Sequence, residues 1–181
     1  MDTQYSLKDY IKQELGISRS SFFFFEVFKR KFLSPTLEAV LLVRTMIYFY
    51  QNKKGKISKI IVFFTKRKLV KKYNCFISEK SRIGIGMKLP HPSGIVIGKN
   101  VEIGNNVVIY QQVTLGAQRR GEGKLGAYPI IEDNCILYAG SKIVGPIIIG
   151  ENSKIGANAV VTKSFEKNST IVGIPGKKIQ K

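Results

Sequence analysis

A single histidine, His91, is all that the 181-residue chain carries. That excludes a zinc centre built on three imidazoles and with it the hydration chemistry such centres support. Cysteine is equally scarce: Cys75 and Cys135 are the only two, and their separation fits neither a CxxC redox pair nor a zinc knuckle. No cleavable signal peptide precedes the first charged residues, so a reducing cytoplasm is the expected location. Long apolar runs are also missing. Phe22 to Phe25 and Ile60 to Phe64 fall far short of the roughly 20 residues that cross a bilayer. No metal is expected.

Acidic residues are few. Against 30 Lys and Arg stand only 12 Asp and Glu, a formal net charge of +18. Residues 1–72 hold 16 basic and 5 acidic side chains and residues 73–181 hold 14 and 7, so the excess is spread along the chain. Such a charge attracts nucleic acid, an anionic membrane face or an anionic substrate. No nucleic-acid-binding motif accompanies it, and a lysine-rich solvated surface is the preferred reading.

What the sequence does have is a period of six. From Ile77 an aliphatic residue recurs at Ile83 and Leu89, then Ile97, Ile103, Ile109 and Leu115, then Ile131, Leu137, Ile143, Ile149, Ile155 and Val161. A six-residue repeat suits neither a 3.6-residue helix nor a simple strand pair; it marks a coil of short parallel strands. Three hexads, about 18 residues, make one triangular coil. Four positions after the aliphatic residue stand Val101, Val107, Val113, Cys135, Ser141, Ile147, Ser153 and Ala159, small enough to point inward. Glycine often follows the aliphatic residue (Gly84, Gly98, Gly104, Gly116, Gly150, Gly156), and asparagine recurs two positions later (Asn100, Asn106, Asn134, Asn152, Asn158). Both residue types are expected to make the corners, where left-handed backbone angles are needed.

The period breaks twice, by two residues between Leu89 and Ile97 and by ten between Leu115 and Ile131. Insertions into a solenoid are where function is added. The first break holds His91-Pro92-Ser93-Gly94. The second, residues 117–129, reads as an extruded loop rich in Gly, Arg and Lys.

The expected organisation is a helical segment, 1–72, followed by the coil, 73–181. Residues 5–15, 35–50 and 57–72 have helical spacing, and Ser34-Pro35 is a cap and first-turn pair. The segment is expected to pack on the base of the coil, with the lysines of 56–72 snorkelling over the core. The alternative is that this basic stretch lies on a membrane surface as a peripheral contact at the inner face.

His91 sits in a break of the repeat rather than on an apolar face, which favours a chemical role. Imidazole changes charge near neutral pH and suits proton removal from an alcohol.

Here the motifs become specific. His91-Pro92-Ser93-Gly94-Ile95-Val96-Ile97-Gly98, Val113-Thr114-Leu115-Gly116 and Val172-Gly173-Ile174-Pro175-Gly176-Lys177 resemble the serine acetyltransferase-like hexapeptide acyltransferases over residues 77–179. The resemblance implies a mainly β fold, a left-handed parallel β-helix behind a small N-terminal helical segment. It further implies a homotrimer with sites between subunits, acetyl-CoA as acetyl donor and His91 as catalytic base. Ala139 and Ala157 match small positions beside the pantetheine arm. Thr162, Lys163, Lys177 and Lys178 match the adenine and phosphate end of CoA, and Gly116 is a candidate backbone donor near the thioester.

Departures from the family bear on the acceptor. The serine-specific enzymes carry an aspartate fifteen positions before the histidine, where this chain has Phe76. They also carry an acidic residue before the histidine and an Arg-His pair before the proline of the second break, where Pro90, Ala127 and Tyr128 stand. Losing partners for a zwitterion should penalise L-serine. Leu89-Pro90-His91-Pro92 and Tyr110-Gln111-Gln112-Val113-Thr114 resemble relatives that acetylate sugars in surface or capsular polysaccharide synthesis, and this resemblance implies, as the first expectation, O-acetylation of a sugar or a surface or capsular polysaccharide. Tyr128, Arg119 and Arg120 are its candidate contacts, and Glu79, a backbone carbonyl or a neighbouring subunit the candidate orienter of His91. Serine O-acetyltransferase is the alternative, and a non-catalytic β-helix scaffold the alternative of another class.

Overall fold

The computed structural model describes residues 34–118 and 127–179, together with Leu7, Asp9, Ile11 and Lys12. The last four are helical; the remainder of the expected 5–15 helix, Phe22 to Phe25, Arg119 and Arg120 lie outside the described residues.

Two helices open the described chain, α1 (Pro35–Asn52) and α2 (Lys56–Tyr73). Ser34 caps α1 as its spacing predicts, accepting from the Leu37 amide at 3.4 Å with proline in the first turn. Asn74 ends α2 in the left-handed conformation, its amide bonded back to the Val70 carbonyl and the next amide, that of Cys75, to the Leu69 carbonyl.

The rest is a triangular parallel coil of strands two or three residues long. Its first face is β1 (Phe76–Ile77), β3 (Val96–Ile97), β6 (Thr114–Gly116), β9 (Lys142–Val144) and β12 (Val160–Val161). The second is β2 (Arg82–Ile83), β4 (Glu102–Ile103), β7 (Ile130–Ile131) and β10 (Ile148–Ile149). The third is β5 (Val108–Ile109), β8 (Ile136–Leu137), β11 (Lys154–Ile155), β13 (Thr170–Val172) and β14 (Lys177–Ile179). All thirteen aliphatic residues of the period point inward, none more than 8% exposed, and the small set from Val101 to Ala159 is buried with them. Each fully buried Ile or Leu is worth about 1.5–3 kcal/mol, and the column of them defines the register.

Register exposes the interruptions. Val96 pairs with Thr114 and Lys142 with Val160, one regular coil apart, whereas Thr114 pairs with Lys142 across the ten extra residues of the second break. A third irregularity escaped the sequence reading. Lys154 pairs with Thr170 and Ile149 bridges Phe165, so the last coil is two residues short and Phe165 takes the aliphatic place.

The corners correct one expectation. Asn106, Asn134, Asn152 and Asn158 do take left-handed angles (φ 55 to 59°), joined by Gln112, but Asn100 does not. Nor do the glycines that directly follow the aliphatic residues. Gly104 is required for a different reason: a Cβ there would lie 2.7 Å from the Asp133 nitrogen of the next coil. Close stacking of coils, not backbone handedness, selects glycine at that position.

Both open ends of the coil are covered, which blunts exposed strand edges. At the top, β14 turns back antiparallel to β13. At the base, Arg44 of α1 is buried and donates to the carbonyls of Ile83 and Gly84. Beside it Glu38, also buried, is held by Lys68, Lys72 and the Tyr73 hydroxyl. Burial alone would raise the Glu38 carboxyl, but those three donors outweigh it and hold it at about 2. Burial and the same carboxylate push Tyr73 up to about 12.

The expected role of α2 needs correction. Only Ser58, Leu69 and Tyr73 of that helix are buried, while Ile57, Ile60, Phe63 and Phe64 point to solvent. No helix of the described residues is long and apolar enough to cross a membrane.

Candidate active site

His91 lies on the corner between the third and first faces, just past Lys88, which bridges Val108 of the third face, and before β3 of the first. The two-residue break makes this corner bulge. Gly94 turns it with φ 66°, its amide bonded to the Tyr73 carbonyl at 3.2 Å. The Ser93 amide closes on the His91 carbonyl at 2.8 Å, and Thr36 at the start of α1 donates to the Pro90 carbonyl at 3.2 Å. Helix and coil thus both grip the loop, and the imidazole itself is exposed.

Among the described residues nothing hydrogen-bonds to the His91 ring. Its neighbour is Tyr110, ring centroids 6.2 Å apart and tilted by 50°, and Tyr110 stacks on Tyr138 at 5.4 Å. These two tyrosines occupy the position after Ile109 and Leu137 that is glycine in six other hexads. The sequence reading missed them, although two aromatic residues at a glycine position one coil apart are visible in the chain. Glu79, the candidate orienter, is engaged elsewhere: it pairs with Lys66 at 2.7 Å.

Ala139 and Ala157 share the His91 corner. The Asn158 amide bonds to the Ala139 carbonyl at 2.9 Å, and the Gly140 amide to that of Gln111, so one small-residue edge runs up the coil. Gly116, Tyr128, Thr162 and Lys163 stand on the other edge of the first face. Gly116 is open, with nothing within 4 Å of a built Cβ, and it pairs with Val144, one coil from Thr162. The Tyr128 ring packs over Gly98, where a Cβ would come within 2.6 Å of it. Lys163 sits over the Phe165 ring at 5.5 Å, and Lys177 and Lys178 lie exposed on β14. Within one chain the two edges are separated by the width of the first face, roughly 15 Å at strand spacing.

The cysteines are packed inside the coil. Both are buried and free, and burial raises the Cys75 thiol and pushes Cys135 up to about 11.

The family described as "Bacterial transferase hexapeptide (six repeats)" matches residues 128–163, and "Hexapeptide repeat of succinyl-transferase" matches residues 74–111. The coil is therefore similar to the hexapeptide repeats of these transferases over those two stretches. A serine acetyltransferase of Mycobacterium tuberculosis is 46% identical over 99 residues, covering 54% of this chain and 42% of that protein. The serine acetyltransferase of Neisseria gonorrhoeae, solved with serine, superposes with TM-score 0.77 at 25% identity over 96% of this chain and 69% of the other. A serine acetyltransferase solved with CoA gives TM-score 0.74 at 27% identity, covering 96% and 70%. The chain spans about half the length of the curated relatives it matches, 42% and 51% for the first two. The fold is therefore the left-handed parallel β-helix of these structures, and the relatives named are serine acetyltransferases, with no polysaccharide-modifying enzyme among them.

Proposed function

We propose that the protein transfers acetyl from acetyl-CoA to a hydroxyl group, with L-serine the first acceptor to consider and His91 as general base. The observation that carries this reading is the one imidazole of the chain, solvent-facing on a corner that both helix and coil hold in place. Acetyl-CoA supplies the acyl thioester. His91 takes the hydroxyl proton as the oxygen attacks the thioester carbonyl; the oxyanion collapses, the C–S bond breaks, and the proton passes to the departing thiolate.

The small edge of Ala139 and Ala157 leaves room for an extended ligand arm, and Gly116 offers an uncovered backbone. Because the two edges stand on different corners, a site between the His91 corner of one subunit and the Gly116 corner of its neighbour in a homotrimer accounts for both sets. Thr162, Lys163, Lys177 and Lys178 then suit the adenine and phosphates of CoA, where ammonium groups meet negative charge.

A second reading, a sugar hydroxyl, is favoured by one feature. The wall beside His91 is the stacked pair Tyr110 and Tyr138, and no carboxylate bonds to the ring among the described residues. An aromatic face suits a pyranose better than a zwitterion. Thiol release from acetyl-CoA, measured with L-serine, small sugars and anionic oligosaccharides, separates the two. Release with L-serine that His91→Ala abolishes supports the first reading; release only with saccharides replaces it by the second. No release with any acceptor leaves a non-catalytic scaffold.

A further inference from the structure

We propose that the outward face of α2 docks the protein on an anionic lipid bilayer. The helix carries seven Lys and Arg and no acidic residue. Three of its cations are engaged, Lys66 with Glu79 and Lys68 and Lys72 with Glu38. Lys56, Lys59, Arg67 and Lys71 have no carboxylate partner among the described residues, and Lys53 and Lys54 precede them on the same exposed approach.

Between these cations lies an apolar patch facing away from the core. Ile57 is 75% exposed, Ile60 53%, Phe63 58% and Phe64 61%, with the two phenyl rings in edge contact at 5.4 Å. Successive residues advance by 100°, so Ile57, Ile60 and Phe64 share one stripe with Arg67 and Lys71, while Ser58, Leu69 and Tyr73 form the opposite, buried stripe.

The chemistry selects the occupant. Apolar side chains need a partner into which they can sink, and cations without carboxylates need one that is negative. An anionic headgroup layer over acyl chains offers both in one surface. Nucleic acid would satisfy the cations and leave Ile60 and Phe64 wet. Two copies meeting through this face would set six unpaired cations against six. A contact of α2 with the acidic hollow on the second face of another copy, about 370 Å³ and lined by Glu102, Glu132, Asp133 and Glu151, is the competing occupant.

Flotation of the full chain with phosphatidylcholine vesicles, with and without phosphatidylglycerol, tests the proposal. Recovery with the anionic vesicles should exceed that with neutral ones by about tenfold and vanish near ~0.5 M salt. Phe63→Ser combined with Phe64→Ser should lower it about tenfold while the far-UV circular dichroism stays unchanged, since both rings are already in solvent. Equal recovery with both vesicles, no recovery, or indifference to the double substitution overturns it. So does concentration-dependent self-association in sedimentation that the double substitution abolishes, which would assign the face to a second copy. None of these readouts depends on the acceptor.

Discussion

The coil and its helical base solve the same problem by opposite means. In the coil, almost every inward side chain is an aliphatic or small residue repeated at one spacing, and hydrogen bonds run from strand to strand. At the base, the closing elements are charged: a buried guanidinium on the Ile83 and Gly84 carbonyls and a buried carboxylate held by two ammonium groups and a phenol. A repeat can satisfy only its own interior. Where it starts, its open edge needs long polar side chains that no period encodes, and His91 is placed where the two regimes meet.

That contrast can be broken in order of size. His91→Ala at the seam should cut acetyl transfer by about 10²–10⁴-fold. Melting temperature should not change, because the exposed ring bonds to no described residue; a parallel loss of stability would move His91 into the scaffold.

Acid should attack the base before the coil. The Glu38 carboxyl is lowered in the folded state, so its contribution is complete above the ordinary glutamate range and fades as pH falls from about 4.5 towards 2, about 3 kcal/mol in all. Urea midpoints measured across that window should fall, and Glu38→Gln should remove the dependence.

Coil stacking comes next. Gly104→Ala forces a methyl against the Asp133 and Glu132 backbone and should cost about 1–3 kcal/mol in thermal or chemical unfolding, whereas Gly116→Ala, which meets nothing, should leave stability unaltered. If both are neutral, coils do not stack as closely as described.

The smallest effect tests the grip on the loop. Thr36→Val removes the hydroxyl on the Pro90 carbonyl and should cost about 1 kcal/mol, read as a melting temperature lower by roughly 2–4 °C together with a several-fold drop in transfer.

Legibility in the sequence follows the same divide. The period of six located thirteen inward residues, three faces and both insertions because one spacing serves every coil. It could not reveal the shortened last coil, since Phe165 is not aliphatic and hides the next step. The reason for glycine after Ile103 was also invisible: the atoms a methyl would strike belong to a residue 29 positions on, Asp133. Helix α2 misled because its apolar residues were assumed to face the coil, and composition does not tell inside from outside. At the site, the motif singled out His91, but the tyrosine wall needed coordinates to be recognised as a wall.

The distance between the two decorated edges has a genetic consequence. If sites form across a ring of three, a chain lacking His91 and a chain disabled at Gly116 are each dead alone, yet co-assembled at equal amounts they rebuild about a quarter of the sites. Recovery of activity on mixing two inactive proteins would then be a property of the triangle itself, with no residue restored in either one.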